Sequence, residues 1–264
     1  AEEFIEQNKE RPFFLYLSYY SVHTPLQAPK ERVAKYEKKP KGERHRNATY
    51  AAMVESVDRS VGRVMARLEK LGLAKNTVVI FTSDNGGHGR ITSHQPLRGN
   101  KGNFYEGGIR VPLIVKWPGV IKPDSTCKVP VISTDYYPTL LAMTGQPARP
   151  KQHVDGRNLL PLLKQTGTVK REALYWHYPN YIGAGHPGGA RPCSVIRSGD
   201  WKLIESFETN RLELFNLKED LGEQNDLAAK MPAKAKALQQ QLAAWRAEAK
   251  VQMPQRNPDY KAGE

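Results

Sequence analysis

The apolar residues of this chain follow two periods, and each period predicts its own kind of element. Over residues 47–71 they recur every three or four positions, which predicts an amphipathic helix that stops at Gly72. The same spacing predicts helices at 134–143 and 227–250. Short runs of apolar and β-branched residues predict buried strands, which are expected at 13–17, 77–83 and 112–117.

This alternation of helices and buried strands predicts an α/β layer, a mainly parallel sheet flanked by helices. The pattern ends in a loop-rich stretch at 145–163, beyond which short strands are separated by Gly, Asp and Asn turns. These strands predict a small antiparallel sheet with a packed helix, and they are expected at 173–178, 193–197, 201–205 and 212–216. We therefore predict two domains, an α/β domain at 1–150 and a smaller C-terminal α+β domain at 151–264.

Composition narrows the class of protein. Of the 264 residues 39% are hydrophobic, which is enough for a core, and no apolar run is long enough to span a membrane. The formal charge of +13 favours polyanionic partners such as nucleic acid, anionic lipid or sulfated glycans. The chain has no helix-turn-helix, zinc-finger or RNP-type signature, so nucleic acid is not expected. Its two cysteines permit a disulfide without requiring one.

The strongest chemical signal lies where the strand at 77–83 ends. Its apolar run passes directly into Asp84 and Asn85, which are followed by Gly86 and Gly87. A carboxylate and an amide oxygen beside a tight backbone turn suit a hard cation such as calcium or magnesium. An Asx turn, in which the two side chains cap their own backbone, explains the same residues without a metal. This segment alone leaves both interpretations open.

Two other segments, taken in order with this one, favour an enzyme. Upstream, the strand at 13–17 leads into a His-Thr-Pro sequence that begins at His23. Downstream, residues 96–112 read PLRGNKGNFYEGGIRVP and contain Lys101. This ordered set resembles the type I sulfatases, the formylglycine-dependent enzymes of the alkaline phosphatase superfamily. The resemblance covers nearly the whole chain, which corresponds to roughly the C-terminal half of such an enzyme.

The resemblance implies roles for individual residues. Asp84 and Asn85 match two ligands of the family's divalent cation, usually calcium, and Lys101 matches the lysine that contacts the sulfate. His23 matches the histidine that can donate a proton to the ester oxygen. Further side chains in loops or in segments common among carbohydrate sulfatases are candidates for substrate binding, namely His88, His177 and Arg191, with His94 and His186 held as similar loop candidates. Structural hydrogen bonds are expected instead from Glu106, Arg110 and Asp135.

The family's nucleophile is not expected in this chain. Type I sulfatases mature the cysteine of a Cys-x-Pro-or-Ala-x-Arg motif to formylglycine, at a helix start in their N-terminal half. Cys193 has Arg197 at the same spacing, but Val195 replaces the Pro or Ala and the segment is a predicted strand. Cys127 lacks the motif. The resemblance therefore places formylglycine in an N-terminal half, which becomes a partner of this chain, and predicts that the chain alone is inactive.

Taken together, the resemblance implies a calcium-assisted sulfuric ester hydrolase that acts on sulfated carbohydrate or another sulfate ester, in the periplasm or outside the cell. One alternative is a metal-dependent phosphodiesterase or phosphatase of the same superfamily. Such enzymes gather several His and Asp ligands for two metals, whereas here Asn85 follows Asp84. A second alternative is a non-catalytic basic module that binds anionic glycans through its charge.

Overall fold

A computed structural model describes residues 1–182, 191–255 and 257–258, so His186 lies outside the described residues. Contacts divide the chain into two compact units. Unit 1 comprises Ala1–Thr82 and Pro112–Lys170, and unit 2 comprises Ser83–Val111 and Arg171–Glu264. In this division residues 83–111 group with the C-terminal strands and residues 151–170 group with unit 1, and the domain boundary at residue 150 stays a prediction.

The described residues contain seven α-helices, six strands and two 3₁₀ turns, at Ala74–Asn76 and Ser133–Asp135. The helices are α1 (Glu2–Gln7), α2 (Lys30–Glu37), α3 (Ala48–Lys70), α4 (Glu106–Ile109), α5 (Tyr136–Met143), α6 (Leu160–Leu163) and α7 (Pro232–Glu248). The strands are β1 (Val79–Thr82), β2 (Leu113–Lys116), β3 (Leu174–Tyr178), β4 (Cys193–Ser198), β5 (Trp201–Ser206) and β6 (Leu212–Asn216). None of the helices among these residues is long and apolar enough to cross a bilayer.

Helix α3 organises the core of unit 1 and confirms the prediction for 47–71. The Asn47 side chain accepts a hydrogen bond of 2.9 Å from the backbone N–H of Tyr50, which caps the first turn. Gly72, with φ of +71°, follows the helix end. Leu68 is buried with Ile5 and Ala74, so α3 joins α1 to the start of β1.

The strands of unit 1 differ from the expected parallel sheet. Strands β1 and β2 pair antiparallel, with Ile80 opposite Val115 and Phe81 opposite Ile114. The sequence predicts a mainly parallel sheet without assigning the pairing of these two strands. They are antiparallel here, and their connection holds only the single-turn α4 and no crossover helix, which parallel neighbours require. Residues 13–17 run without a strand assignment in the described structure.

The segment at 13–17 nevertheless alternates as a strand does. Phe13 and Leu15 pack on the core around Leu68, while Phe14 is 71% exposed and Tyr16 is 80% exposed. Apolar side chains therefore point to both sides of this segment, as in a strand of a sheet that is covered on both faces.

Unit 2 contains the predicted antiparallel sheet, with strand order β3-β4-β5-β6. One face packs on α7, through a core that includes Ile196, Leu203 and Leu242. The opposite face packs on two aromatic residues of the 83–111 segment, Phe104 and Tyr105. Helix α7 begins at Pro232 and not at 227 as predicted, because proline suits the first turn of a helix and disfavours helical conformation in the residue before it.

Candidate functional site

The turn that follows β1 and the loop that carries Lys101 are joined backbone to backbone in unit 2. The Gly86 N–H donates to the Gly108 carbonyl at 2.9 Å, and the Lys101 N–H donates to the Gly87 carbonyl at 3.0 Å. A Cβ at Gly86 would lie 1.9 Å from the Gly107 oxygen, so the turn approaches the loop more closely than any side chain permits. The structure thus brings the predicted metal ligands and the predicted sulfate-binding lysine into one local arrangement.

The predicted metal ligands lie in this turn. Asp84 is exposed and Asn85 is partly exposed, and the Asn85 amide Nδ2 donates to the Asp84 carboxylate. A rotation of that amide by half a turn would put its oxygen beside the carboxylate, where both could bind one cation. No group of three or more His, Cys, Asp or Glu with metal-site geometry occurs among the described residues. The oxygen atoms of Asp84 and Asn85 are the type of ligand that a hard cation prefers. Two residues supply only part of the six to eight oxygens that calcium takes.

Lys101 sits at the exposed tip of its loop, between two glycines in the left-handed region. Gly99 has φ of +81° and Gly102 has φ of +95°, a conformation that other residues rarely adopt. These glycines let the backbone fold back on both sides of the lysine. An ammonium group on a flexible stem at an exposed position suits a compact oxyanion.

His23 belongs to unit 1 and is exposed. Its Nδ1 lies 2.8 Å from the carbonyl oxygen of Thr24, and because a carbonyl only accepts, Nδ1 is the donor. In the neutral ring Nε2 is then an acceptor, so His23 could deliver a proton to an ester oxygen only as the imidazolium, in which Nε2 also carries a proton. The joint action of His23 with Lys101 stays a prediction.

The other loop candidates have partners within the protein. His88 Nδ1 accepts from the Arg90 N–H at 3.2 Å, and His94 Nε2 accepts from the Gly87 N–H at 2.8 Å. His94 thus supports the turn that carries the predicted metal ligands. Arg191 is exposed and forms an ion pair of 3.1 Å with Glu208. The substrate-binding roles predicted for His88 and Arg191 stay predictions.

His177 lies on the face of the sheet that faces away from the Lys101 loop. It is the partner of Ser194 in β4, next to the residues that pack on α7, whereas Val195 and Ile204 pack on Phe104 and Tyr105. Its Nδ1 is 2.8 Å from Ser194 Oγ and its Nε2 is 2.8 Å from the carbonyl of Gln252. Both nitrogens thus have structural partners. The geometry favours a packed histidine, and the predicted sugar contact stays a prediction.

Cys193 has none of the properties of a nucleophile. It lies in β4 and is buried, and burial raises the pKa of its thiol to about 12, so the reactive thiolate is scarce at neutral pH. Both cysteines are free. The rejection of Cys193 on sequence grounds therefore agrees with its environment.

The residues expected to serve the structure do so. The Asp135 carboxylate accepts from the Ile132 N–H at 2.9 Å and from the Arg157 N–H at 2.8 Å. Arg110 lies 3.5 Å from the buried carboxylate of Glu106. Sequence reasoning missed the buried partner of Glu106, Lys202, whose Nζ is 3.0 Å away. The available signal was strand alternation, which puts Lys202 on the same face as Ile204, towards the Lys101 loop.

Comparison with known proteins gives this arrangement its class. The family model described as "Sulfatase" matches residues 1–146, and that described as "N-sulphoglucosamine sulphohydrolase, C-terminal" matches residues 99–250. The chain belongs to the sulfatase family. Its fold is accordingly that of the alkaline-phosphatase-like sulfatases, which confirms the predicted fold class. The antiparallel pairing of β1 and β2 is a local departure from the mainly parallel sheet that the sequence predicts.

Individual relatives agree. A sulfatase of Formosa agariphila is 39% identical over 260 residues, which cover 89% of this chain and 46% of the relative. Human steryl-sulfatase is 37% identical over 70% of this chain and 32% of its own length. Among solved structures, Ps i-CgsB in complex with k-i-k-neocarrahexaose superposes with a TM-score of 0.79 at 31% identity, covering 92% of this chain and 52% of that one. The chain thus spans about half the length of these relatives or less.

Proposed function

We propose that this chain supplies the cation-binding turn and the sulfate-binding lysine of a sulfuric ester hydrolase. The observation that carries the proposal is the backbone pairing of the Asp84–Gly87 turn with the Lys101 loop, in a chain of the sulfatase family. Held in this way, Asp84 and Asn85 offer oxygen ligands while Lys101 extends a positive charge from the same local framework. A sulfuryl group that gains charge on its oxygens would be stabilised by both.

Each residue has a separate task in this proposal. Lys101 binds and orients the sulfate through an ammonium group that donates up to three hydrogen bonds. As the imidazolium, His23 donates the Nε2 proton to the departing ester oxygen and keeps the Nδ1 proton, with its ring oriented by the Thr24 carbonyl. Asp84 and Asn85 would hold a divalent cation, for which calcium is the family's usual choice and whose role when bound is to neutralise charge on the sulfate oxygens.

The nucleophile is proposed to come from an N-terminal half of the enzyme, where the family carries formylglycine. This half would also provide the remaining oxygen ligands, since the chain's two donors fall short of a complete calcium shell. The 13–17 segment supports an N-terminal half as partner, because it carries apolar side chains on both sides and exposes Phe14 and Tyr16. A layer of the N-terminal half packed over these two side chains would remove them from water.

The proposed substrate is a sulfated carbohydrate, and the proposed location is the periplasm or the cell exterior. Support for the substrate comes from the complex of Ps i-CgsB with a neocarrahexaose and from the family description naming a sulphoglucosamine sulphohydrolase. The formal charge of +13 also favours an anionic glycan.

The proposal is tested by turnover of 4-nitrophenyl sulfate. The 264-residue chain alone should not hydrolyse it, because covalent sulfate transfer needs the missing nucleophile. A completed enzyme should, and it can be made by joining the chain to the part of the Formosa agariphila sulfatase that precedes the matched region, in cells that form formylglycine. Hydrolysis by the chain alone that disappears in Cys193→Ala would contradict this assignment. Faster turnover of 4-nitrophenyl phosphate than of the sulfate by the completed enzyme would favour the phosphatase alternative.

Calcium affinity should separate the chain from the completed enzyme. With two oxygen donors in an exposed turn, we expect the chain to bind calcium with a dissociation constant on the order of millimolar, and the completed enzyme to bind far more tightly. Isothermal calorimetry measures both, with Asp84→Ala as the variant and Asp155→Ala, an exposed aspartate of a different segment, as the matched control. Micromolar binding by the chain that survives Asp84→Ala would place the ligands elsewhere.

A further inference from the structure

A buried ion cluster lies between the sheet of unit 2 and the Lys101 loop. Lys202 Nζ is 3.0 Å from Glu106 Oε1 and 2.9 Å from Glu223 Oε1, and the three side chains are at most 1% exposed. The Glu106 N–H also donates to Glu223 Oε2 at 2.6 Å. Removing one member of such a cluster leaves its partners buried without a counter-charge, so the three residues act as a unit.

The members of this Lys202–Glu106–Glu223 cluster come from distant parts of the chain. Lys202 lies in β5, Glu106 begins α4 beyond the Lys101 loop, and Glu223 lies between β6 and α7. Lys202 is the cross-strand partner of Arg197, and two cations in that position repel each other. The Glu106 carboxylate relieves this repulsion, because its Oε2 lies 3.6 Å from Arg197 while its Oε1 binds Lys202.

The N-terminal end of the loop, at Arg98, also contacts Glu223. Arg98 Nη1 donates to the backbone carbonyl of Glu223 at 2.9 Å, and the Arg98 guanidinium lies 3.9 Å from the centre of the Tyr105 ring. Glu223 itself has φ of +52°, so its backbone is held in a conformation unfavourable for glutamate. The loop therefore leaves this anchor at Arg98, passes through Lys101 and returns to it at Glu106.

We propose that the Lys202–Glu106–Glu223 cluster is a positioning device for Lys101, which rests on the proposed role of Lys101 in sulfate binding. The cluster fixes both ends of the loop, and the loop in turn pairs with the metal-ligand turn through Gly86 and Gly108. The backbone at Gly108 is packed closely against the loop, because a Cβ there would lie 2.0 Å from the Asn103 carbonyl oxygen. A shift of the loop would therefore break its backbone contacts with Gly108. Lys202, about 100 residues from Lys101 in sequence, thereby sets where the ammonium group of Lys101 lies.

The first test is hydrogen exchange of the 264-residue chain, followed by mass spectrometry. Lys202→Met should raise the exchange rates of the amides at 98–108 by about tenfold or more. These amides exchange when the loop opens locally, and without the cluster that opening costs less free energy. The amides of β4 and β6 should keep their protection. If Lys202→Met does not fold, Glu223→Gln carries the test, since it keeps the shape and the acceptor for the Glu106 N–H but removes the charge.

The matched control is Glu205→Gln. Glu205 lies in the same strand but on the other face, where it accepts from Gln239 at 2.7 Å and pairs with Arg246 of α7. This variant should accelerate exchange in α7 and leave 98–108 unchanged. Unchanged exchange at 98–108 in Lys202→Met and Glu223→Gln, or an equal acceleration there in Glu205→Gln, would overturn the proposal.

A double-mutant cycle in the completed enzyme tests the functional consequence. Lys202→Met should lower kcat/KM by about 10²-fold through misplacement of the lysine. In a Lys101→Ala background the same change should have little further effect, because the group that it positions is gone. Fully additive losses would show that Lys202 does not act through Lys101. If the unmodified completed enzyme hydrolyses no sulfate ester, the proposed function is contradicted. The hydrogen-exchange experiment does not depend on activity, so it still tests whether the cluster holds the loop.

Discussion

Lys101→Ala should lower kcat of the completed enzyme by about 10²–10³-fold, as the loss of a donor that stabilises a developing oxyanion typically does. The lysine is exposed, and its backbone N–H donates to the Gly87 carbonyl, so truncating the side chain removes the charge while this backbone hydrogen bond can still form. The measurement is steady-state hydrolysis of 4-nitrophenyl sulfate by the variant and by the unmodified enzyme.

The control for Lys101→Ala is Lys75→Ala, an exposed lysine of a 3₁₀ turn in unit 1. It makes the same change in net charge, so a loss caused only by weaker attraction of an anionic substrate would appear in both variants. A general electrostatic effect would also act on KM and decline with added salt. Equal losses in the two variants would leave Lys101 without a specific role.

His23→Ala should impair the hydrolysis of a sugar sulfate much more than that of 4-nitrophenyl sulfate. An alkoxide leaving group is strongly basic and needs a proton as it departs, whereas nitrophenolate leaves without one, and general acid catalysis contributes about 10²–10⁴-fold. The two substrates are compared on the same variant in the completed enzyme. The ratio of the two losses is the informative quantity.

The matched variant is His45→Ala, which removes an exposed histidine that precedes α3 in the chain. It should leave the ratio of the two rates unchanged. If His23→Ala reduces both rates by the same factor, His23 positions the substrate and does not donate the proton. A His23→Gln variant, which keeps a hydrogen-bond donor but not an acid, should then recover both activities together.

The sequence predicted those elements whose signals are local. Helix α3 has a capping asparagine at its start and a glycine with positive φ after its end, and each C-terminal strand is bounded by turn residues, so their limits agree with prediction within one or two residues. Apolar spacing alone predicts a start for helix α7 five residues before Pro232, where the helix begins. The local apolar pattern predicts the type of each element, whereas turn residues and prolines determine where the element begins and ends.

Long-range relations could not be predicted in this way. The antiparallel pairing of β1 with β2 depends on a long excursion of the chain between them, and the cluster around Lys202 joins residues 96 positions apart. Lys202 looks like any surface lysine in the sequence. For the candidate site, residue type indicates the chemistry of Asp84 and Asn85, and the family resemblance implies a role for Lys101. The backbone pairing of their two segments appears only in the structure. The segment around His177 indicates a candidate by residue type but not which face of its strand the histidine occupies.

The segment at 13–17 has a consequence for the physical state of the isolated chain. An extended backbone with Phe14 and Tyr16 exposed, unpaired in the described structure, is a template on which a second molecule can add a strand. The charge of +13 opposes such association by repulsion between molecules, and salt screens that repulsion over about 10 Å at 0.1 M. The colloidal behaviour of the chain should therefore depend on ionic strength, with self-association increasing as salt is added.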